Sequence, residues 1–400
     1  MSIDRSTGRE CPITILITGG RAPAALELVR LWAGAGHRVV TADSVPHSLC
    51  GASRHTARNY VLPEINRGPA AYIDALVEIV RSEQVQWLIP TCEEVFAISR
   101  YRDRLLPYCE VLVDDIANLG QLHNKWQFIR MADELGFLTP GTRLLQSLSE
   151  VEAYLQEGSQ DMKYVLKPVY SRFASRVRVI HGGKNVDISA QDLLISPRYP
   201  WVGQQFISGT PYCTYSIVHD GKLAAHAVYA AKFTAGQGAS IGFKLMNHPG
   251  LLDWVTRFVT AIRFTGQIAF DFIETEQGEL YPLECNPRST SGIHLFRLKD
   301  RLDEAFLNSG NRPIVLPSDN RPTVIKGAML LYGWKQGASS CFRDWLSALV
   351  NSRDAVFRIA DPMPFAAQGA VLLYFWRKSR ANGISIAEAM TMDMEWNGEA

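Results

Sequence analysis

The 400-residue chain has no Cys-x-x-Cys pair, and its seven cysteines, at 11, 50, 92, 109, 213, 285 and 341, are scattered and odd in number. That argues against a zinc site or a disulfide framework, and a reducing, cytoplasmic compartment is expected. Net charge is nearly absent, with a formal value of +1. No global field attracts nucleic acid or an anionic membrane, and neither is expected as a partner. Long apolar runs are missing too. The late run Gly369–Trp376 is far too short to span a bilayer. The early run Ile13–Thr18 ends in Gly19-Gly20 and does not read as a signal peptide. There is no internal repeat and no low-complexity tract. Thr18-Gly19-Gly20-Arg21-Ala22-Pro23 lacks the Gly-x-Gly-x-x-Gly spacing, which makes a nicotinamide dehydrogenase a poor reading.

What is present is ordinary globular composition, 47 % hydrophobic and 20 % charged, with length for two or three domains. From residue 13 to about 118, strand and helix patterns alternate. Ile13–Thr18, His37–Ala42, Val85–Pro90 and Val111–Val113 read as strands, with helices at 23–35, 70–83 and 95–106 between them. That alternation predicts a doubly wound parallel sheet, with ligands beyond the carboxyl ends of its strands. Those ends carry Gly19-Gly20-Arg21, Asp43-Ser44 and Pro90-Thr91-Cys92-Glu93-Glu94. From about 121 the pattern becomes α+β. A helix is expected over Leu122–Leu135, another over Ser149–Gln156, then strands at 164–167, 176–180, 202–207, 212–219 and 223–231. Residues 308–322 read as a linker. The remainder shows strand-like runs at Val324–Tyr332 and Gly369–Phe375 and a helix at Cys341–Val350. The domains expected are 1–120, 121–310 and a small C-terminal α+β region, 311–400.

The most chemical stretch is Asp271–Arg288. It reads as a hairpin, with strands at 267–273 and 279–284 around Thr275-Glu276-Gln277-Gly278. Centred on that turn, the hairpin is expected to set Asp271 opposite Glu284, with Asn286 on the same face. Facing carboxylates repel, so the pattern points to a cation between them. Two carboxylates and an amide oxygen are hard ligands that suit Mg²⁺ holding phosphates. An exposed acidic hairpin is the plain alternative. Lys125 lies on a helix, and Lys167 ends a strand ahead of a Ser-containing loop, placed to reach a phosphate. Alone, either lysine reads as a surface charge. Gln204-Gln205-Phe206-Ile207-Ser208-Gly209 reads as a strand entering a turn, whose backbone groups are suited to an adenine edge. Lys232–Ser240 is a cationic, glycine-containing segment that reads equally as a flap over a phosphate or as a plain loop.

The order of these parts resembles the ATP-grasp superfamily, in the branch similar to the large subunit of carbamoyl phosphate synthase. The likeness runs from about 13 to 300 and is carried by Lys125, Gly136-Phe137-Leu138-Thr139-Pro140, Val165-Leu166-Lys167-Pro168, Gln204–Gly209 and Asp271…Glu284-Cys285-Asn286-Pro287-Arg288. The resemblance implies that Lys125 and Lys167 contact the α- and β-phosphates of ATP, with Ser171 in the phosphate loop. Gln204 and the backbone of Gln205, Phe206 and Ile207 would face adenine. Asp271, Glu284 and Asn286 would hold two Mg²⁺ ions, with Mn²⁺ as a substitute. Arg288 would stabilise the transferring phosphoryl group, and Lys232 would reach the γ-phosphate. His294, after Arg288, is a candidate general base for an amine, weighed against a structural histidine.

The implied activity is a stand-alone carboxylate–amine ligase that forms an amide through an acyl phosphate and releases ADP and phosphate. Its partners would be small carboxylates and amines, amino acids among the candidates, and a homodimer is compatible with the C-terminal region. Arg172 and Arg176 are candidates for a substrate carboxylate. Glu93 and Glu94 are candidates for an ammonium group or for capping a helix. Two departures stand out. Val169–Arg176 contains no glycine where such proteins carry a glycine-rich phosphate loop, and Thr210-Pro211-Tyr212 offers no carboxylate for a ribose. Rival readings are another phosphoryl-activating enzyme, such as a carboxylase or a kinase-like transferase, and a degenerate nucleotide-binding regulator.

Overall fold

The computed structural model describes residues 12–157, 162–171, 176–181, 193–235, 239–307, 312–333 and 340–398. Its first sheet holds β1 (Thr14–Thr18), β2 (Arg38–Asp43), β3 (Arg58–Val61), β4 (Trp87–Ile89) and β5 (Glu110–Val111), in the order β3-β2-β1-β4-β5. All pairs are parallel. Helices Pro23–Gly34, Pro69–Ser82 and Glu94–Arg100 connect the strands. β1 is Thr-Ile-Leu-Ile-Thr and is buried on both faces, as a central parallel strand requires. The doubly wound expectation holds. The sequence reading missed β3, a short, largely exposed edge strand with little apolar signal.

A four-stranded antiparallel sheet follows, built from β6 (Thr142–Leu145), β7 (Lys163–Pro168), β8 (Arg178–His181) and β9 (Trp201–Gln205), in the order β6-β9-β7-β8. The third sheet has seven strands. They are β10 (Thr210–His219), β11 (Lys222–Ala235), β12 (Ala239–Met246), β13 (Gly266–Glu274), β14 (Leu280–Asn286), β15 (Thr323–Val324) and β16 (Arg353–Asp354). Their order is β14-β13-β10-β11-β12-β15-β16. The helix Pro249–Ala261 packs on this sheet. Trp254 and Phe258 stack at 5.0 Å and meet Phe270 and Phe128 edge-on. Phe270 and Phe272 on β13 point into that core, so the alternation of a strand sends Asp271 to the other face.

Two expectations for the C-terminal region are corrected. Val324–Tyr332 is a strand only at Thr323–Val324 and continues as the helix Lys326–Tyr332. Gly369–Phe375 lies inside a 20-residue helix, Met363–Asn382. An apolar run with two apolar faces has no clear period, so strand and helix were not separable from pattern alone. The helix expected at Cys341–Val350 is present as Ser340–Asn351. Residues after 311 are woven into the other parts. β15 and β16 extend the seven-stranded sheet. The segment 385–398 crosses the carboxyl edge of the first sheet. There Asp393 and Asp43 both bind the buried Arg21, and Ser44 bonds Asp393. Among the described residues no helix is long and apolar enough to cross a membrane, and Cys50, Cys92, Cys109, Cys213 and Cys285 are free thiols.

Candidate nucleotide and cation site

The hairpin β13–β14 closes on a tight turn, where Gly278 adopts φ +81° and donates to the Thr275 carbonyl at 3.0 Å. From Glu274↔Leu280 the ladder runs to Phe272↔Pro282 and then slips by one residue, so that Asp271 pairs with Glu284. The facing carboxylates expected from sequence are present, but a bulge at Leu283 sets that register. The bulge has a use. The Leu283 carbonyl turns to Lys167 Nζ and accepts from it at 3.0 Å.

Lys167, at the end of β7, is buried. Its burial pulls the ammonium down to about 8, against the attraction of Glu284. Lys125 is equally buried and sits 3.5 Å from Glu284 Oε2, while its Nζ donates to the Ser171 carbonyl at 3.2 Å. A single helix over Leu122–Leu135 was expected. Two are found, Ile116–His123 and Lys125–Glu134, broken at Asn124. The Asn124 side chain accepts from the N–H groups of Trp126 and Gln127, so Lys125 stands in the first turn of a capped helix. Two lysines, two carboxylates and Asn286 thus meet at one place. Asn286 Nδ2 donates to Glu284 Oε1 at 3.3 Å, and its Oδ1 accepts from Arg288 Nη2 at 3.0 Å.

Burial, and then the charge of Glu284, push Asp271 well above the ordinary carboxylate range. Burial acts the same way on Glu284, but Lys125 and Lys167 outweigh it and hold Glu284 low. Opposed acids of this kind are relieved by a cation between them. Among the described residues no three His, Cys, Asp or Glu side chains converge on one metal point. The donor set is two carboxylates and one amide, which fits Mg²⁺ drawing its remaining oxygens from phosphate and water.

Arg288 has a second acidic neighbour that its sequence position did not reveal. Glu93, after β4 in the first sheet, places Oε1 at 3.8 Å from Arg288 Nε, and its Oε2 accepts from the Trp396 N–H at 3.0 Å. Trp396 stacks on Phe96 at 4.4 Å. Glu93 therefore joins the first sheet, Arg288 and the C-terminal segment. Glu94 does not cap the helix that it begins; its Oε1 accepts from the N–H groups of Thr91 and Cys92 in the preceding turn and from the Thr18 hydroxyl on β1.

The adenine expectation is narrowed. Gln204 is buried and donates to Thr142 Oγ1 at 3.0 Å. The N–H of Gln205 goes to the Gly141 carbonyl and that of Phe206 to the Lys163 carbonyl. Ile207 keeps the backbone N–H without a partner among the described residues. His294 is not free as an expected base would be. It is buried, its Nδ1 lies 3.4 Å from Glu27 Oε2, and its ring stacks on Phe243. Burial lowers its proton affinity, and the placement favours the structural histidine. Arg176 lies 3.5 Å from Glu388. Arg172 and residues 173–175 of the glycine-free loop fall outside the described residues, as do the Lys232 side chain and the tip of the expected flap.

Two lysines, two carboxylates, an amide and an arginine thus meet between two sheets, a set chemically suited to phosphate and a hard cation. Residues 122–292 match the family model of an ATP-grasp domain. Solved structures share the fold. The L-amino acid ligase from Bacillus licheniformis superposes with a TM-score of 0.57 at 13 % identity, covering 74 % of this chain and 75 % of that one. An N5-carboxyaminoimidazole ribonucleotide synthetase in complex with ADP gives 0.58 at 15 %, covering 78 % and 80 %. The biotin carboxylase domain of a Hydrogenobacter thermophilus 2-oxoglutarate carboxylase, a dimer holding MgADP and bicarbonate, gives 0.53 at 13 %, covering 70 % and 65 %. No curated protein sequence matches the chain. At these identities the likeness is one of fold. The family-model match covers the segment 122–292, which holds Lys125, Lys167, Asp271, Glu284, Asn286 and Arg288.

Proposed function

We propose that the chain is an ATP-dependent carboxylate–amine ligase. The observation that carries this reading is the Asp271–Glu284 pair facing Lys125 and Lys167, with Arg288 held beside Asn286. The fold is shared with the Bacillus licheniformis L-amino acid ligase, which supports amide formation over bare ATP hydrolysis.

The chemistry follows from the groups present. A carboxylate is a poor acyl donor until its oxygen carries a good leaving group. Its attack on the γ-phosphorus of ATP forms a new O–P bond, breaks the bond to ADP and gives an acyl phosphate. That step needs positioning and charge neutralisation more than covalent help. Lys125 and Lys167 would neutralise the α- and β-phosphates. Arg288 would meet the charge that builds on the transferring group. Asp271, Glu284 and Asn286 would hold Mg²⁺, which supplies Lewis-acid stabilisation of the phosphate oxygens when bound. An amine then attacks the acyl carbon, loses a proton and expels phosphate. Amino acids are a reasonable first panel for both substrates.

The test is a screen of pooled carboxylates and amines with ATP and Mg²⁺. ADP and phosphate should appear only with a cognate carboxylate, and hydroxylamine should trap the acyl group as a hydroxamate. ADP without a trappable acyl group would move the reading to a kinase-like transfer. No ADP under any pool, with ATP bound, would move it to a regulator.

A further inference from the structure

The helix Met363–Asn382 buries Pro364, Val371, Phe375 and Ser379, and the last three recur every four residues as one inward stripe. A second apolar stripe points away from the protein. Phe365, Leu372, Leu373 and Trp376 are 41, 43, 47 and 49 % exposed. Ala366, Gly369 and Ala370 lie exposed among them. The spacing alternates threes and fours, the seam along which two helices pack. No charged residue occurs from Met363 to Trp376. A Cβ added at Gly369 would meet nothing within 4 Å, so the middle of the seam is open.

Two neighbouring helices widen this face. In Lys326–Tyr332, a Cβ at Gly327 would lie 3.4 Å from the Gln368 side chain, and Leu330, Leu331 and Tyr332 are exposed. In Ser340–Asn351, Trp345 Nε1 donates to the Met329 carbonyl at 2.9 Å, while Phe342, Leu346 and Val350 stand exposed four residues apart. Large apolar side chains bury roughly 150–250 Å² each, so these half-exposed residues together offer on the order of 1,000 Å². A monomer's largest apolar patch is roughly 300–600 Å², and a stable dimer needs about 800 Å² from each partner.

We propose that this face is an isologous dimer interface, covered by the same face of a second copy of the chain. The seam is self-complementary about Gly369. A two-fold axis there sets each residue against the one equally far on the other side. Phe365 then meets the partner's Leu373, and Ala366 meets the partner's Leu372, with the glycines letting the helices approach. The area matches what a dimer requires, and the uncharged seam carries nothing that two copies would repel.

Sedimentation velocity on the full chain at micromolar concentration tests this, independently of any catalytic reading. The expected species has twice the 44.6 kDa mass of the chain. Leu373→Glu with Trp376→Glu should raise the dimer dissociation constant by roughly 100-fold or more while leaving the far-UV circular dichroism unchanged, because both side chains stand half exposed on the outer face of the helix. Gly369→Cys should form an interchain disulfide under mild oxidation where the wild type forms none. A wild-type species at 44.6 kDa overturns the proposal, even if that monomer binds lipid vesicles or another protein. So does a dimer that survives the double substitution. If the double variant loses its fold, the Gly369→Cys cross-link decides: a covalent dimer supports the interface and its absence overturns it.

Discussion

Glu284 stands between a second carboxylate and two buried lysines, and its charge is what those lysines compensate. Glu284→Gln keeps the shape and removes the charge. Under the ligase reading, Mg²⁺-dependent ADP release should fall on the order of 10²–10³-fold, measured by steady-state kinetics across a Mg²⁺ titration. Glu93 gives a subtler case, because it touches Arg288 rather than a reacting atom. Glu93→Gln should lower kcat by roughly 10-fold or more at nearly constant KM for ATP, and Glu93→Asp should restore part of the loss. Equal activity in Glu93→Gln would show that Arg288 needs no such partner. The carboxylates, lysines and Arg288 were legible in sequence because their types and order are chemical. Glu93's contact with Arg288 was not, since about 195 positions separate them and no local pattern encodes a meeting of two sheets. The Leu283 bulge was also hidden: the turn residues suggested facing acids, but the register that delivers them depends on one extra residue.

At the level of elements, alternation settled the faces. Phe270 and Phe272 go to the aromatic core, and Asp271 between them must go to the site. His226 on β11 is governed by the same burial. It is 2 % exposed, its Nδ1 lies 2.9 Å from Ser216 Oγ, and burial lowers its pKa from 6.5 to about 4. The folded state therefore resists the proton that the unfolded chain accepts. Stability from this group is intact above about 6.5 and is lost as pH falls toward 4, by up to about 3 kcal/mol. Chemical denaturation at pH 7 and pH 4.5 should show that loss, and His226→Asn should flatten its share of the slope. Most helices of the first domain-length stretch and the central strands were readable before the structure, whereas the helix Pro249–Ala261 and the strand Ala239–Met246 were missed despite their buried residues. The edge strand β3 was too exposed to register, and Asn124 hid inside what looked like one continuous helix because its cap serves a helix starting one residue after another ends.

For the whole molecule, the C-terminal segment is the part that sequence located least well. Its runs were apolar without a readable period, and its contacts lie far away along the chain. Arg21 is buried against both Asp43 and Asp393, so Asp393→Asn leaves the guanidinium with half its counter-charge. A loss of about 1–3 kcal/mol is expected by thermal or urea denaturation, below the cost of removing every partner because Asp43 remains. An unchanged midpoint would mean that Asp43 alone satisfies Arg21.

The Arg21–Asp393 contact spans 372 positions. During synthesis Arg21 emerges 372 residues ahead of Asp393. At about 5–20 residues per second, that interval is on the order of tens of seconds. For that time the carboxyl edge of the first sheet is unsealed, and Arg21 is left with Asp43 and Ser44 as its side-chain partners. The nascent chain should be most open to chaperones and proteases along that edge.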